Sequence, residues 1–189
     1  MTAHRKSAMP QRRRGFSLIE ILIVLVVVSV GLVGLAGLQV NAMSYGKTAV
    51  SRSSSAALAY DMADRMRSNL NGLMASAYLL NQTWSGGSAV PALPACYSAA
   101  TGVTSGNCNA AQMAAVDLNQ WSALLAAQLP GGKARIDALN GVATTANFQF
   151  GYRIIVGYAE RNPAGSGTNC PTSFTTDSSV QCFQLDVAP

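Results

Sequence analysis

The chain has 189 residues, 49% hydrophobic and only 11% charged, which suits one domain with an apolar appendage rather than two domains. Its formal charge of +5 is no nucleic-acid footprint: Arg5, Lys6, Arg12, Arg13 and Arg14 all precede Gly15, and the eight basic residues after it meet eight acidic ones. The single histidine, His4, lies in that same leader, so nothing beyond Gly15 offers an imidazole for acid–base chemistry or metal ligation.

Residues 16–38 are apolar throughout except for Ser17, Glu20, Ser29 and four small residues, Gly31, Gly34, Ala36 and Gly37. At about 1.5 Å per residue, a helix of this length crosses a hydrocarbon core of about 30 Å with room to tilt. The basic residues before it resist translocation, so the expected topology is a single pass with a cytoplasmic N-terminus. A secretory signal would have a shorter apolar run, about 7–15 residues, ending at a small-residue cleavage site. Here the candidate junction, Gly15–Phe16, comes before the run. Glu20 is the misfit, because a carboxylate in lipid is costly unless a partner offsets it. Cleavage after Gly15 would create one, a free ammonium on Phe16 about a helical turn away or on a neighbouring chain. Gly31, Gly34 and Gly37 are candidate helix-weakening positions, each about 1 kcal/mol less favourable than Ala. Glycines also permit close helix approach in membranes, and both readings stay open here.

The helix is expected to continue to about Asn69, roughly 80 Å in all. Ala56, Ala59, Ala63, Met66, Leu70, Leu73 and Ala77 recur at steps of three and four and mark its buried face. Asp61 and Arg65 form an i,i+4 pair off that face. Asp61 and Asp64 stand beside Arg65 and Arg67, which reads as a solvated charged face rather than a catalytic acid pair. The Gly-, Ser- and Pro-rich stretch Thr83–Asn109 reads as loop. A second helix follows, with Asn109 as N-cap, Gln112 as its capping-box partner and a stop at Pro130-Gly131-Gly132. Its buried stripe is Ala114, Leu118, Trp121, Leu125 and Leu129, with Trp121 as core rather than a ligand-stacking platform.

Beyond Gly132 the period becomes two. Ala134–Leu139 is a candidate strand before an Asn140-Gly141 turn. Phe148, Phe150, Tyr152, Ile154, Val156 and Tyr158 mark the buried face of a second strand, and Phe183, Leu185 and Val187 that of a closing one. The four cysteines, Cys96, Cys108, Cys170 and Cys182, admit three pairings. Outside the cytoplasm disulfides persist, and the loops between neighbouring cysteines are rich in Gly, Ser, Thr and Asn. The expected bonds are therefore Cys96–Cys108 and Cys170–Cys182, each worth about 3 kcal/mol in the chain-entropy account. The spacing lacks the close pairs of a zinc ribbon, so no metal is expected. No phosphate loop, dinucleotide fingerprint, nucleophile elbow or HExxH is found, and the chain is read as a processing substrate, not an enzyme, with no cofactor.

The stretch RRRGFSLIEILIVL (residues 12–25) resembles the processing signal of type IV pilins and type II secretion pseudopilins. The segments ALAYDMADRMRSN and AAQMAAVDLNQWSALLAAQLPGG extend the likeness to the type IV pilus modification minor pilins (PilV-type). The resemblance implies cleavage by prepilin peptidase between Gly15 and Phe16, N-methylation of Phe16, and a role for Glu20 in pairing with a neighbour's N-terminus. It also implies an α+β pilin fold, a long helix packed on a small antiparallel sheet. The expected organisation is a leader over 1–15, a transmembrane and filament-core helix over 16–38, its amphipathic continuation over 39–72, and a periplasmic head over 73–189. The partners implied are other minor and major pilins, the inner-membrane assembly platform and membrane lipid, with no nucleic acid. The location implied is the inner membrane and then the pilus on the cell surface. A minor pilin that helps initiate assembly is the first reading. A type II secretion pseudopilin and an adhesin displayed on a pilus are the alternatives.

Overall fold

A computed structural model describes residues 15–85, 91–98, 103–104, 107–139, 151–160, 169–175 and 177–188. The chain divides into two compact units between Tyr45 and Gly46. Helix α1 (Leu18–Ser68) begins in the first and ends in the second. Arg12–Arg14, Phe148, Phe150 and the Asn140-Gly141 turn lie outside the described residues.

The first unit is residues 15–17 and the opening turns of α1. Ile and Val dominate it, although β-branched residues are mediocre helix formers in water. A helix is nevertheless the one local structure that satisfies every backbone polar group within a single apolar segment. All its large apolar side chains from Phe16 to Tyr45 are exposed. By length and composition the helix can cross a membrane.

In the second unit, α1 buries Ser55, Leu58, Ala59, Met62, Ala63 and Met66. The sequence stripe omits three of these, Ser55, Leu58 and Met62, and its Ala56 is only half-buried. Leu70, expected on the stripe, is exposed instead. The helix breaks at Asn69, which caps a short helix α2 (Leu70–Met74) by accepting from the Gly72 amide at 3.2 Å. The break resets the helical phase, so the three-and-four alternation stops predicting burial there. A Cβ at Gly72 would run into Asn69 and the Ala110 carbonyl, which is why the chain is small at this close approach.

Strands β1 (Leu80–Ser85), β4 (Lys133–Ala138), β5 (Tyr152–Ala159) and β6 (Val180–Val187) form an antiparallel sheet in the order β1-β4-β5-β6. Strands β2 (Tyr97–Ser98) and β3 (Val103–Thr104) make a separate two-stranded ribbon. Strands therefore occupy part of Thr83–Asn109, which composition reads as loop. In β1 the residues are Asn, Gln, Thr and Ser around Trp84, and the strand forms because it pairs with β4 and buries that indole. Helix α3 (Ala110–Gln128) has the expected capping box, with Asn109 and Gln112 each accepting from the other's backbone amide. All five residues of its predicted stripe are buried, and the Trp121 indole donates to the Leu58 carbonyl at 2.9 Å, tying α3 to α1.

The core joins these helices to the inner face of the sheet, where Ile136, Ile154 and Leu185 stand in register. Burying a side chain of this size stabilises by about 1.5–3 kcal/mol. The sequence assigns β5 one buried face, whereas the structure covers both. On the outer face, Ile155, Phe174, Val180 and Cys182 form a second small cluster. Gly157 makes room for it, because a Cβ there would lie 2.6 Å from the Phe174 ring. The rest of that face is polar. Asp137, Arg153 and Asp186 align across β4, β5 and β6, and Arg153 donates twice to Asp186 at 2.7 Å. The guanidinium holds the Asp186 carboxyl below the usual carboxylate range.

Candidate functional site

The N-terminal segment is built around the first turn of α1. The Ser17 carbonyl accepts from the amides of Glu20 (3.1 Å) and Ile21 (3.3 Å), so the helix closes on Ser17. Gly15 and Phe16 precede it in non-helical backbone, both exposed. Their peptide bond thus lies outside the helix, where its carbonyl and amide are not committed to the helical ladder. Phe16 is 79% exposed.

Glu20 sits in the first turn, where the helix dipole favours an anion by about 0.3–1 kcal/mol. No ion pair is formed by it among the described residues. Ser29 is internally satisfied, its hydroxyl donating to the Val26 carbonyl at 2.8 Å. Glu20 is therefore the charged group of an otherwise apolar, outward-facing helical surface. Through Gly31, Gly34 and Gly37 the helix is continuous, and a Cβ at any of them would meet nothing within 4 Å. No contact within the described chain requires these glycines.

The cysteines form two disulfides, Cys96–Cys108 and Cys170–Cys182, with none free. The first ties the segment before β2 to the residue preceding the α3 cap. The second holds residues 169–175 against β6, beneath the Phe174 cluster. Beside it, Asn169 acts as a substitute strand: its side-chain amide accepts from the Cys182 amide at 2.8 Å and donates to the Cys182 carbonyl at 2.5 Å.

A polar cluster that sequence reasoning missed lies between α1 and α3. Arg65 donates to Asp61 (3.0 Å), to Asp117 (3.3 Å) and to Gln120 (3.0 Å). Tyr78 donates to the other oxygen of Asp117 at 2.5 Å and accepts from Asn69 at 3.1 Å. Asn69 also donates to the Ala110 carbonyl at 2.8 Å. Burial, then Asp117, push the Tyr78 phenol well above its ordinary range. The signal was available, since Asp117 falls on the buried stripe between Ala114 and Trp121. A carboxylate there demands a cation and donors. By contrast, Asp64 pairs with exposed Arg67 at 2.9 Å, so each of the two acids Asp61 and Asp64 meets an arginine of its own helix.

This cluster holds the end of α1, α3 and the Tyr78 turn together through charge. Asp117→Ala would strand Arg65 and Tyr78, although Arg65 keeps Asp61 and Gln120. The expected loss is about 2–3 kcal/mol of unfolding free energy, measured by melting the detergent-solubilised full chain. Asp117→Asn keeps an acceptor for Tyr78 and should lose about half as much. Equal melting of the Ala variant and the parent would remove the cluster from the account of stability.

Two family models match the chain. Residues 10–36 match the one described as the prokaryotic N-terminal methylation motif, and residues 37–119 match the one described as type IV pilin Tt1218. The two matches abut, the first spanning Gly15, Phe16 and Glu20 and the second the rest of α1 and half of α3. No curated protein and no solved structure matches the chain.

Proposed function

The chain belongs to the type IV pilins, and from that premise we propose that it is a minor pilin that helps initiate or modify a pilus. Prepilin peptidase cuts between Gly15 and Phe16, and Phe16 is then N-methylated. The helix over 16–38 anchors the subunit in the inner membrane with the leader cytoplasmic and the head over 73–189 periplasmic. During assembly the same helix leaves lipid for the filament core. Its neighbours there are other pilins, and the chain itself acts as a structural subunit and a substrate of processing.

The observation that carries this reading is Glu20. A lone carboxylate in the first turn of an exposed apolar helix fits neither a simple anchor nor a soluble core helix. It fits a surface that is covered by other chains, one of which brings a cation. Deletion of the gene distinguishes the machines this fold could serve. The expected result is loss of surface pili, seen by electron microscopy, with protein secretion intact. Loss of secretion with normal piliation would instead assign it to a type II secretion pseudopilus, and normal piliation with lost adherence to an adhesin.

A further inference from the structure

Residues 169–175 cross the outer face of the sheet and touch all four of its strands. At β6, Cys170 is bonded to Cys182, and the Asn169 side chain pairs with the Cys182 amide and carbonyl. The Gln184 side chain adds a bond to the Asn169 carbonyl at 2.9 Å. Over β5, the Phe174 ring packs on Gly157 and Ile155. At β4, Arg135, aimed by its bond to Asp137, donates to the Ser173 carbonyl at 2.8 Å. At β1, the Thr83 hydroxyl donates to the Phe174 carbonyl at 2.9 Å. Ladder bonds join a strand only to its neighbours. This segment instead ties together the two outer strands of the sheet, β6 and β1.

Strand β1 is the one that needs such a tie. Its register against β4 shifts between Leu80 and Trp84, and Thr83 lies inside that irregular stretch. Asn81-Gln82-Thr83 contains no apolar residue, so little burial holds it extended. Trp84 anchors the far end of β1 in the core, and the Thr83 bond grips the part where the ladder is irregular. We propose that residues 169–175 are a strap pinned by Cys170–Cys182, and that this bond at one edge of the sheet governs the order of β1 at the other. The pin matters because two carbonyl contacts offset little of the entropy of ordering a loop, whereas a covalent bond confines it beforehand. Without the pin, Asn169 leaves the β6 edge, Phe174 leaves Gly157, and Thr83 loses its acceptor.

Hydrogen exchange of the detergent-solubilised full chain, read peptide by peptide in the mass spectrometer, tests this coupling. In Cys170→Ser with Cys182→Ser, peptides over 169–175, 180–184 and 80–85 should exchange roughly tenfold faster than in the parent. Those over α3 and β5 should stay within roughly twofold. Thr83→Val keeps a β-branched side chain and both disulfides, and removes only the donor to the strap. It should speed exchange over 80–85 by roughly fivefold and leave 180–184 at the parental rate. Parental exchange over 80–85 in either variant overturns the proposal. So does an equal rise in every peptide of the second unit, for the bond would then support the whole fold rather than one strand. Cys96→Ser with Cys108→Ser is the control, and a loss of β1 protection there as large as with the first pair also overturns it.

Discussion

Gly15→Ala is expected to leave residues 1–15 attached and to remove the subunit from the filament. The substitution is informative because the fold is indifferent to it: a Cβ at Gly15 meets nothing within 4 Å, and the residue precedes the first helical turn. Any loss must therefore arise in processing rather than in folding. A peptidase that reads Gly at the cut does so where its own backbone approaches the substrate closely, and an added methyl obstructs that approach. The consequence for assembly is electrostatic. The uncut chain keeps five basic residues ahead of the apolar helix, and Phe16 carries a peptide nitrogen instead of an ammonium. Glu20 then has no cation to meet, and the retained leader holds the N-terminus at the cytoplasmic face. Mass spectrometry of the membrane fraction should find the leader residues, Arg12–Arg14 among them, still joined to Phe16, and sheared filaments should lack the variant. Recovery of Phe16 as the N-terminus at parental levels would refute the assigned cut.

How far the sequence could be read depended on whether a feature was local. Helix α3 was legible to within a residue because its signals sit inside it: the Asn109–Gln112 capping box, the Pro130-Gly131 stop and a stripe of five apolar residues. Strand β6 announced itself through the alternation of Phe183, Leu185 and Val187. Strand β1 did not, because Asn81, Gln82 and Thr83 carry no strand-like pattern and the segment is extended only through pairing with β4. The second apolar cluster was hidden for the same reason. Phe174 lies in a polar loop, and only the fold brings it over Gly157. Arg65 was correctly paired with Asp61, one turn away, while its bonds to Asp117 and Gln120 span more than fifty residues of chain. At the N-terminus the methylation motif was legible, since charge, glycine, aromatic and acid stand at fixed short spacing.

Glu20→Ala should separate processing from assembly in the opposite sense. The variant is expected to be cut after Gly15 and methylated normally, because Glu20 lies five residues beyond Gly15 and makes no ion pair among the described residues that would shape the cleavage site. Its folding should also be unchanged, since the side chain is exposed. What it lacks is the carboxylate that an incoming or outgoing Phe16 ammonium would meet in an apolar setting. Removing one member of a buried ion pair costs about 3–5 kcal/mol, mostly because the other charge is left without compensation. At about 1.4 kcal/mol per tenfold, the competition of variant with parental subunits for a place in the filament should fall by roughly two to three decades. Glu20→Gln is the decisive companion, for it preserves size and one acceptor oxygen while removing the charge. If the carboxylate acts through charge, subunits carrying Glu20→Gln should be excluded nearly as fully as those carrying Glu20→Ala. Incorporation of either variant at the parental level, scored by immunogold labelling of sheared pili, would sink the ion-pair account. Both variants should also sit more comfortably in lipid than the parent, because a carboxylate at this depth is costly there. The same residue that hinders the subunit's rest in the membrane thus favours its departure, provided that a charged N-terminus is waiting.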